Sequence, residues 1–148
     1  MATGKGNNNS IGFLELLFQA TISANYATLA LNATSSPATN LYVSLHTANP
    51  GATGNQTTSE AAYTSYARVA VARSNSGWSI SGETISNVAA VIFPTATGGS
   101  ETETYVGVGL TSSGSGVLLW YGSLASGLAV STGITPTFAI GQLAITES

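Results

Sequence analysis

From Leu41 onward, the sequence is a series of short alternating segments separated by turns. The first places Leu41, Val43 and Leu45 on one face and ends at Asn49-Pro50-Gly51. There are about eight such segments in all, at roughly 8–12-residue spacing, which is typical of a sandwich or a barrel. No helical period separates consecutive segments, which disfavours a parallel α/β sheet. The sequence therefore predicts a mainly β fold, a two-sheet β-sandwich of jelly-roll type with one N-terminal helix, and an immunoglobulin-like topology is the main alternative.

The N-terminal part has a different pattern. Residues 1–40 are predicted to form a tail, a helix and a connector, and residues 41–148 the β-sandwich domain. Ser10 is the expected N-cap of a helix that runs from Ile11 to about Ala24. We expect its apolar stripe to contact a neighbouring subunit, and packing on the chain's own sheet is the alternative. The predicted partner-contact residues are Phe13, Leu14, Leu17, Phe18 and Ile22.

Charge is scarce in this chain. Charged residues make up 6% of the 148 positions, whereas an ordinary soluble domain carries about 25%. A surface of hydroxyls and amides is poorly suited to a dispersed monomer, and it suits a protein packed beside its copies or on another surface. We therefore expect self-association as a dimer or a trimer. The net charge of −3 and the absence of a Lys/Arg cluster argue against a nucleic-acid partner.

The sequence also argues against membrane insertion and secretion. The longest apolar run, from Val117 to Tyr121, is far too short to cross a bilayer. Residues 1–10 carry a positive charge, but Glu15 and Gln19 interrupt the apolar stretch that a signal peptide would need. We therefore predict neither a membrane partner nor a signal peptide.

The residue types that carry most enzyme chemistry are nearly missing. His46 is the only histidine, and the chain has no cysteine and no aspartate. A catalytic triad of the usual kind and a zinc site therefore lack their members. We predict that the chain is not an enzyme and has no catalytic, metal-binding or cofactor-binding residues. His46 itself is expected to be neutral and to bond a loop carbonyl.

Two further motifs have a functional and a structural interpretation. Glu101 and Glu103 are the only close carboxylate pair, a spacing that superficially resembles a glycosidase pair. Because they occur in a Gly/Ser/Thr-rich stretch, we expect a solvated loop from Thr95 to Glu103. Gly107 and Gly109 lack the third glycine and the helix of a dinucleotide site. We expect strand glycines at which a large side chain packs closely.

Several stretches together carry a resemblance to a known family. They are Phe13–Phe18, Leu41–Gly51, Thr58–Val71, Phe93–Ala96 and Gly133–Phe138. In these stretches the chain resembles a family of small virion proteins of tailed phages and prophages. Members are labelled either tail-fibre-like or head decoration (cement) proteins, and the resemblance covers nearly the whole chain.

The resemblance implies a structural role in the virion and no catalytic residues. Our first hypothesis is a capsid decoration protein that binds the phage major capsid protein and bridges its subunits. Many copies, each with a modest interface, could act together in this role. The protein would then lie on the outer capsid surface after assembly in the bacterial cytoplasm. The alternative is a tail or fibre module of the virion that binds a host receptor.

Overall fold

The structure, a computed structural model, describes residues 7–21 and 38–146 of the chain. Within these ranges there are one helix and nine strands, and most of the paired segments run antiparallel to their neighbours. The elements are α1 (Asn7–Phe18), β1 (Asn40–His46), β2 (Val69–Ala72), β3 (Trp78–Ser81), β4 (Thr84–Asn87), β5 (Val91–Ile92), β6 (Ser100–Gly109), β7 (Leu118–Ser131), β8 (Thr137–Phe138) and β9 (Ala144–Thr146).

The chain divides into two compact units. The first takes in the described parts of Met1–Thr39, Ala72–Ala90 and Ala139–Ser148, and the second Asn40–Val71 and Val91–Phe138. The first unit holds α1 and the three-stranded sheet β3-β4-β9, in this spatial order. The four-stranded sheet, in the order β2-β1-β6-β7, and the two-stranded sheet β5-β8 belong mainly to the second unit. The division at residue 40 that the sequence suggests stays a prediction.

In the first unit, β3 and β4 form a hairpin. Trp78 lies opposite Asn87, and Ile80 lies opposite Ile85. Gly82 occupies the turn with a φ of 60°, a left-handed conformation that costs glycine little. Phe18 of α1 packs edge-to-face on Trp78, with the ring centroids 4.7 Å apart. This aromatic pair fixes the helix on β3.

The bounds of α1 differ from the sequence prediction at both ends. The helix begins at Asn7, so Ser10 lies within it and is not its N-cap. It ends at Phe18 and not near Ala24, and Ala20 adopts a positive φ of 54°. Arg73 donates to the carbonyl oxygens of Leu16 and Leu17, two of the acceptors that a helix end leaves unpaired. A residue distant in sequence therefore caps this helix.

In the second unit, β1 lies inside the four-stranded sheet, between β2 and β6. Leu41, Val43 and Leu45 are fully buried on the face that the alternation predicts. Ser44 and His46 point to the opposite face, because side chains alternate along a strand, and they are also buried. The inner strand is therefore covered on both faces, with an apolar layer on one and a polar layer on the other.

The prediction of a mainly β fold with one N-terminal helix is confirmed for the described residues. Their sheets contain four, three and two strands. A jelly roll places eight strands in two sheets. Jelly-roll topology is therefore not confirmed.

Candidate functional site: a buried polar layer on the four-stranded sheet

The polar layer consists of Ser44, His46, Gln56, Glu60 and Arg68, all in the second unit. His46 is fully buried at the end of β1. Its Nδ1 lies 2.9 Å from the carbonyl oxygen of Thr58, and its Nε2 lies 2.9 Å from Ser44 Oγ.

The contacts of His46 define its protonation state. Since a carbonyl only accepts, Nδ1 carries the proton and Nε2 accepts from the Ser44 hydroxyl. Burial lowers the pKa of His46 below its usual value of 6.5. The prediction that this histidine bonds a loop carbonyl is confirmed, and the neutral ring ties the loop at Thr58 to β1.

Glu60 and Arg68 form the ionic part of the polar layer. Arg68 Nε donates to Glu60 Oε1 at 2.6 Å, and Nη2 donates to Oε2 at 2.7 Å. Arg68 also donates to the carbonyl oxygens of Thr111 and Gly114, and the Tyr66 hydroxyl donates to Glu60. The two-point geometry is the strongest arrangement of an arginine with a carboxylate. It fixes the segment from Glu60 to Arg68 onto the loop that joins β6 to β7.

Gln56 forms the third part of the polar layer and is fully buried. Its Oε1 accepts from the amide and the hydroxyl of Thr111, at 2.9 and 3.0 Å. A Cβ on Gly109 would lie 2.2 Å from Gln56 Cδ, and one on Gly116 would lie 2.4 Å from its Oε1. The prediction that a large side chain packs closely on strand glycines is confirmed at Gly109.

The carboxylate pair does not lie in a solvated loop, so that prediction is wrong. Glu101 and Glu103 belong to β6, opposite Val130 and Leu128 of β7. Pairing with β7 makes this stretch a strand, because backbone hydrogen bonding outweighs the weak strand propensity of its glutamates. Composition alone does not contain this information.

The environments of the two carboxylates differ. Glu101 Oε1 accepts from the backbone amides of Ala62 and Tyr63, at 2.8 and 2.7 Å. Glu103 is fully buried, and neither of its carboxylate oxygens has a hydrogen-bond partner among the described residues. Burial, and then the neighbouring Glu101 carboxylate, raise the pKa of Glu103 to about 8. Glu103 therefore holds its proton at neutral pH.

The five predicted partner-contact residues have different positions. Leu14 and Phe18 are fully buried inside the first unit, and Phe13 and Leu17 are half-buried. Ile22 lies outside the described residues. Phe18 packs on Trp78 of the chain's own hairpin, which agrees with the alternative expectation for this residue. A contact between this stripe and a neighbouring subunit stays a prediction.

The first unit contains a cleft of about 440 Å³. It lies beside the contact of α1 with β3, where Gln19 Nε2 donates to the carbonyl oxygen of Trp78 at 3.1 Å. Its lining mixes polar with apolar groups: Ile11, Glu15, Gln19, Asn75, Trp78, Ser79, Ile80, Gly82 and Val88. Within residues 7–21 and 38–146, no group of three or more potential metal-ligating side chains comes together. No helix in these same ranges is long and apolar enough to cross a membrane.

The folded chain is thus a small, mainly β protein whose polar layer bonds to its own loops. The family model described as podophage GP4 fiber I protein gp80 matches residues 19–146. This match makes the chain a phage virion structural protein and confirms the resemblance found in the sequence. In particular, the chain belongs to the family of the podophage GP4 fiber I protein gp80. Comparison with curated proteins finds no match.

Proposed function

We propose that this protein is a non-enzymatic structural component of the virion fibre. The observation that carries the proposal is the match of residues 19–146 to a family described as a fibre protein. The polar layer supports the non-enzymatic part. Its charged members Glu60 and Arg68 bond to each other and to the chain's own backbone, so neither is available to a substrate.

The exposed surface supports assembly with further copies. Three large, mainly apolar side chains of the β6–β7 hairpin are exposed, namely Leu110 at 38%, Val117 at 58% and, within β7, Tyr121 at 40%. The amide of Leu110 donates to the carbonyl oxygen of Val117, so two of the three flank the same turn. We propose a second copy of this chain as the occupant of this end of the hairpin. Residues 104–131 contain no charged residue, and Arg68, which reaches the loop, is buried, so two copies would not repel each other there. Fibre assembly would then use apolar contacts that salt does not screen.

Capsid decoration is the second candidate. The low charge of the chain favours it equally, because a decoration protein also packs against a protein lattice in many copies. Its partner would be the phage major capsid protein, on the outside of the shell. The two candidates differ in location and not in the physical nature of the contact.

Immuno-electron microscopy of intact virions separates the two candidates. Antibodies raised against the recombinant chain should label projections from the tail or collar if the protein belongs to the fibre. Label spread over the shell would support capsid decoration and reject the fibre. Antibody absorbed beforehand with the recombinant chain provides the control, and virions without label at either place would reject both candidates.

A further inference from the structure

A short segment of the second unit bonds to β6 through one carboxylate. Residues 61–66, here called the latch segment, follow Glu60 along the chain. Glu101 Oε1 accepts from two consecutive amides of this segment, those of Ala62 and Tyr63. Hydrogen bonds from backbone amides to a carboxylate are stronger than those to a neutral acceptor. The charge of Glu101 therefore contributes directly to the position of the latch segment.

Glu103 lies two residues further along the same strand and hence on the same side of it. It is fully buried, with both carboxylate oxygens unpartnered among the described residues. The residues opposite the pair on β7, Val130 and Leu128, are uncharged. An ionised Glu103 would therefore be a desolvated charge with no cation to offset it, which is strongly unfavourable.

The latch segment adds one titratable group to this cluster, and it has the same sign when ionised. Tyr63 is buried, and its hydroxyl donates to the carbonyl oxygen of Pro94 at 3.0 Å. Burial, then Glu103 and Glu101, raise the pKa of Tyr63 to about 12. The tyrosine therefore stays neutral while Glu103 titrates. The glutamate pair is left as the proton-sensitive part of the cluster.

We propose that Glu103 is a proton switch for the latch segment. With its proton, Glu103 is neutral, and Glu101 keeps its two amide bonds to residues 62 and 63. When Glu103 releases its proton to solvent, two carboxylates of like charge face each other without a cation. Relief of that repulsion moves the half-buried Glu101 towards water and frees the amides of Ala62 and Tyr63. The rest of the latch segment stays attached through Thr64 and the Tyr63 hydroxyl.

The direction of the switch follows from the chemistry of a buried acid. The pKa of Glu103, raised to about 8 by burial and by Glu101, places the release of its proton just above neutral pH. The two amide bonds to Glu101 are kept below that value and are lost as the pH rises through it. This inference concerns a device within the fold, so it holds for a fibre protein and a decoration protein alike.

Amide hydrogen exchange on the full chain, followed by NMR, tests the switch. Protection of the amides of Ala62 and Tyr63, corrected for the intrinsic pH dependence of exchange, should fall about tenfold between about pH 7 and about pH 9. In Glu103→Gln, which mimics the protonated form, protection should stay constant over this range. Glu83→Gln in the β3–β4 turn is the matched control, and it should retain the wild-type fall.

Constant protection in the wild-type chain, or an equal fall in Glu103→Gln, would overturn the proposal. A second measurement needs no variant and so does not depend on the folding of Glu103→Gln. The side-chain carboxyl ¹³C shift of Glu103 in the wild-type chain should titrate with a midpoint near 8. A midpoint at the ordinary value of a glutamate, about 4.3, would reject the switch.

Discussion

Arg68 and Glu60 are joined at two points, with Arg68 Nε 2.6 Å from Oε1 and Nη2 2.7 Å from Oε2. The Arg68 side chain is only 2% exposed, and that of Glu60 is 14% exposed. Arg68, one of the three cationic residues of the chain, is thus buried inside the fold. The pair attaches the loop after β1 to the loop between β6 and β7, and its role is positional.

Replacing Arg68 by methionine should destabilise the protein by about 3–5 kcal/mol, because it leaves Glu60 as an uncompensated buried charge. Urea denaturation measures this loss. The double variant Glu60→Leu/Arg68→Met removes both charges and should recover much of the stability. A double variant no more stable than Arg68→Met would show that packing of the arginine, and not its charge, holds the two loops.

Gly109→Ala should cost at least about 1–3 kcal/mol, the range for overpacking a tight site. The new methyl group would lie 2.2 Å from Gln56 Cδ and would push the glutamine off Thr111. Gly122→Ala in β7 is the matched control, because nothing lies within 4 Å of its Cβ position. Thermal unfolding of both variants checks the difference. Equal melting temperatures would mean that Gln56 is not packed on β6 in solution.

The raised pKa of Glu103 predicts a pH dependence of the free energy of unfolding. The folded chain keeps this proton up to about pH 8, whereas an unfolded glutamate releases it near pH 4.3. Stability is therefore greatest at the acid end of this window and falls as the pH rises through it, at up to about 1.4 kcal/mol per pH unit. Urea denaturation of wild type and Glu103→Gln at several pH values in this range gives the free energy of unfolding. Its pH dependence should differ between the two by the release of one proton. Identical slopes of this free energy against pH would contradict the raised pKa of Glu103.

Phe18→Ala should destabilise the first unit by about 3–5 kcal/mol, the usual cost of truncating a buried phenylalanine. Phe18 is fully buried against Trp78, so the quenching and emission maximum of the tryptophan fluorescence should also change. Ile140→Ala removes a side chain that is 70% exposed, and it should leave both readings near wild type. A Phe18 variant of unchanged stability would favour the neighbouring-subunit role for the helix.

Val117→Lys should weaken self-association. The side chain is 58% exposed at the β6–β7 hairpin end, so a charge there costs the folded monomer little but repels the same charge on a second copy. Sedimentation velocity at micromolar concentration should show the wild-type chain as more than a monomer and the variant shifted towards monomer. Ser81→Lys, an exposed position on β3 in the first unit, is the control and should sediment like wild type.

Local sequence patterns determined much of this fold by themselves. Alternation predicted the buried face of β1, because it depends on neighbouring residues only. The single histidine and the strand glycines were also assigned correctly. In each case the residue type itself restricts the structural role. Gly109, for example, has no side chain and so leaves room for Gln56.

The tertiary structure alone decided the polar layer and the glutamate pair. Glu103 lies in a strand because β7 pairs with β6, and Glu60 meets Arg68 because the loop after β1 brings the two together. The end of α1 depends likewise on Arg73, more than fifty residues away along the chain. These outcomes rest on contacts between distant segments, whose free energies depend on burial and geometry. Composition and periodicity describe neighbouring residues, and they contain neither the burial nor the geometry of contacts between distant segments.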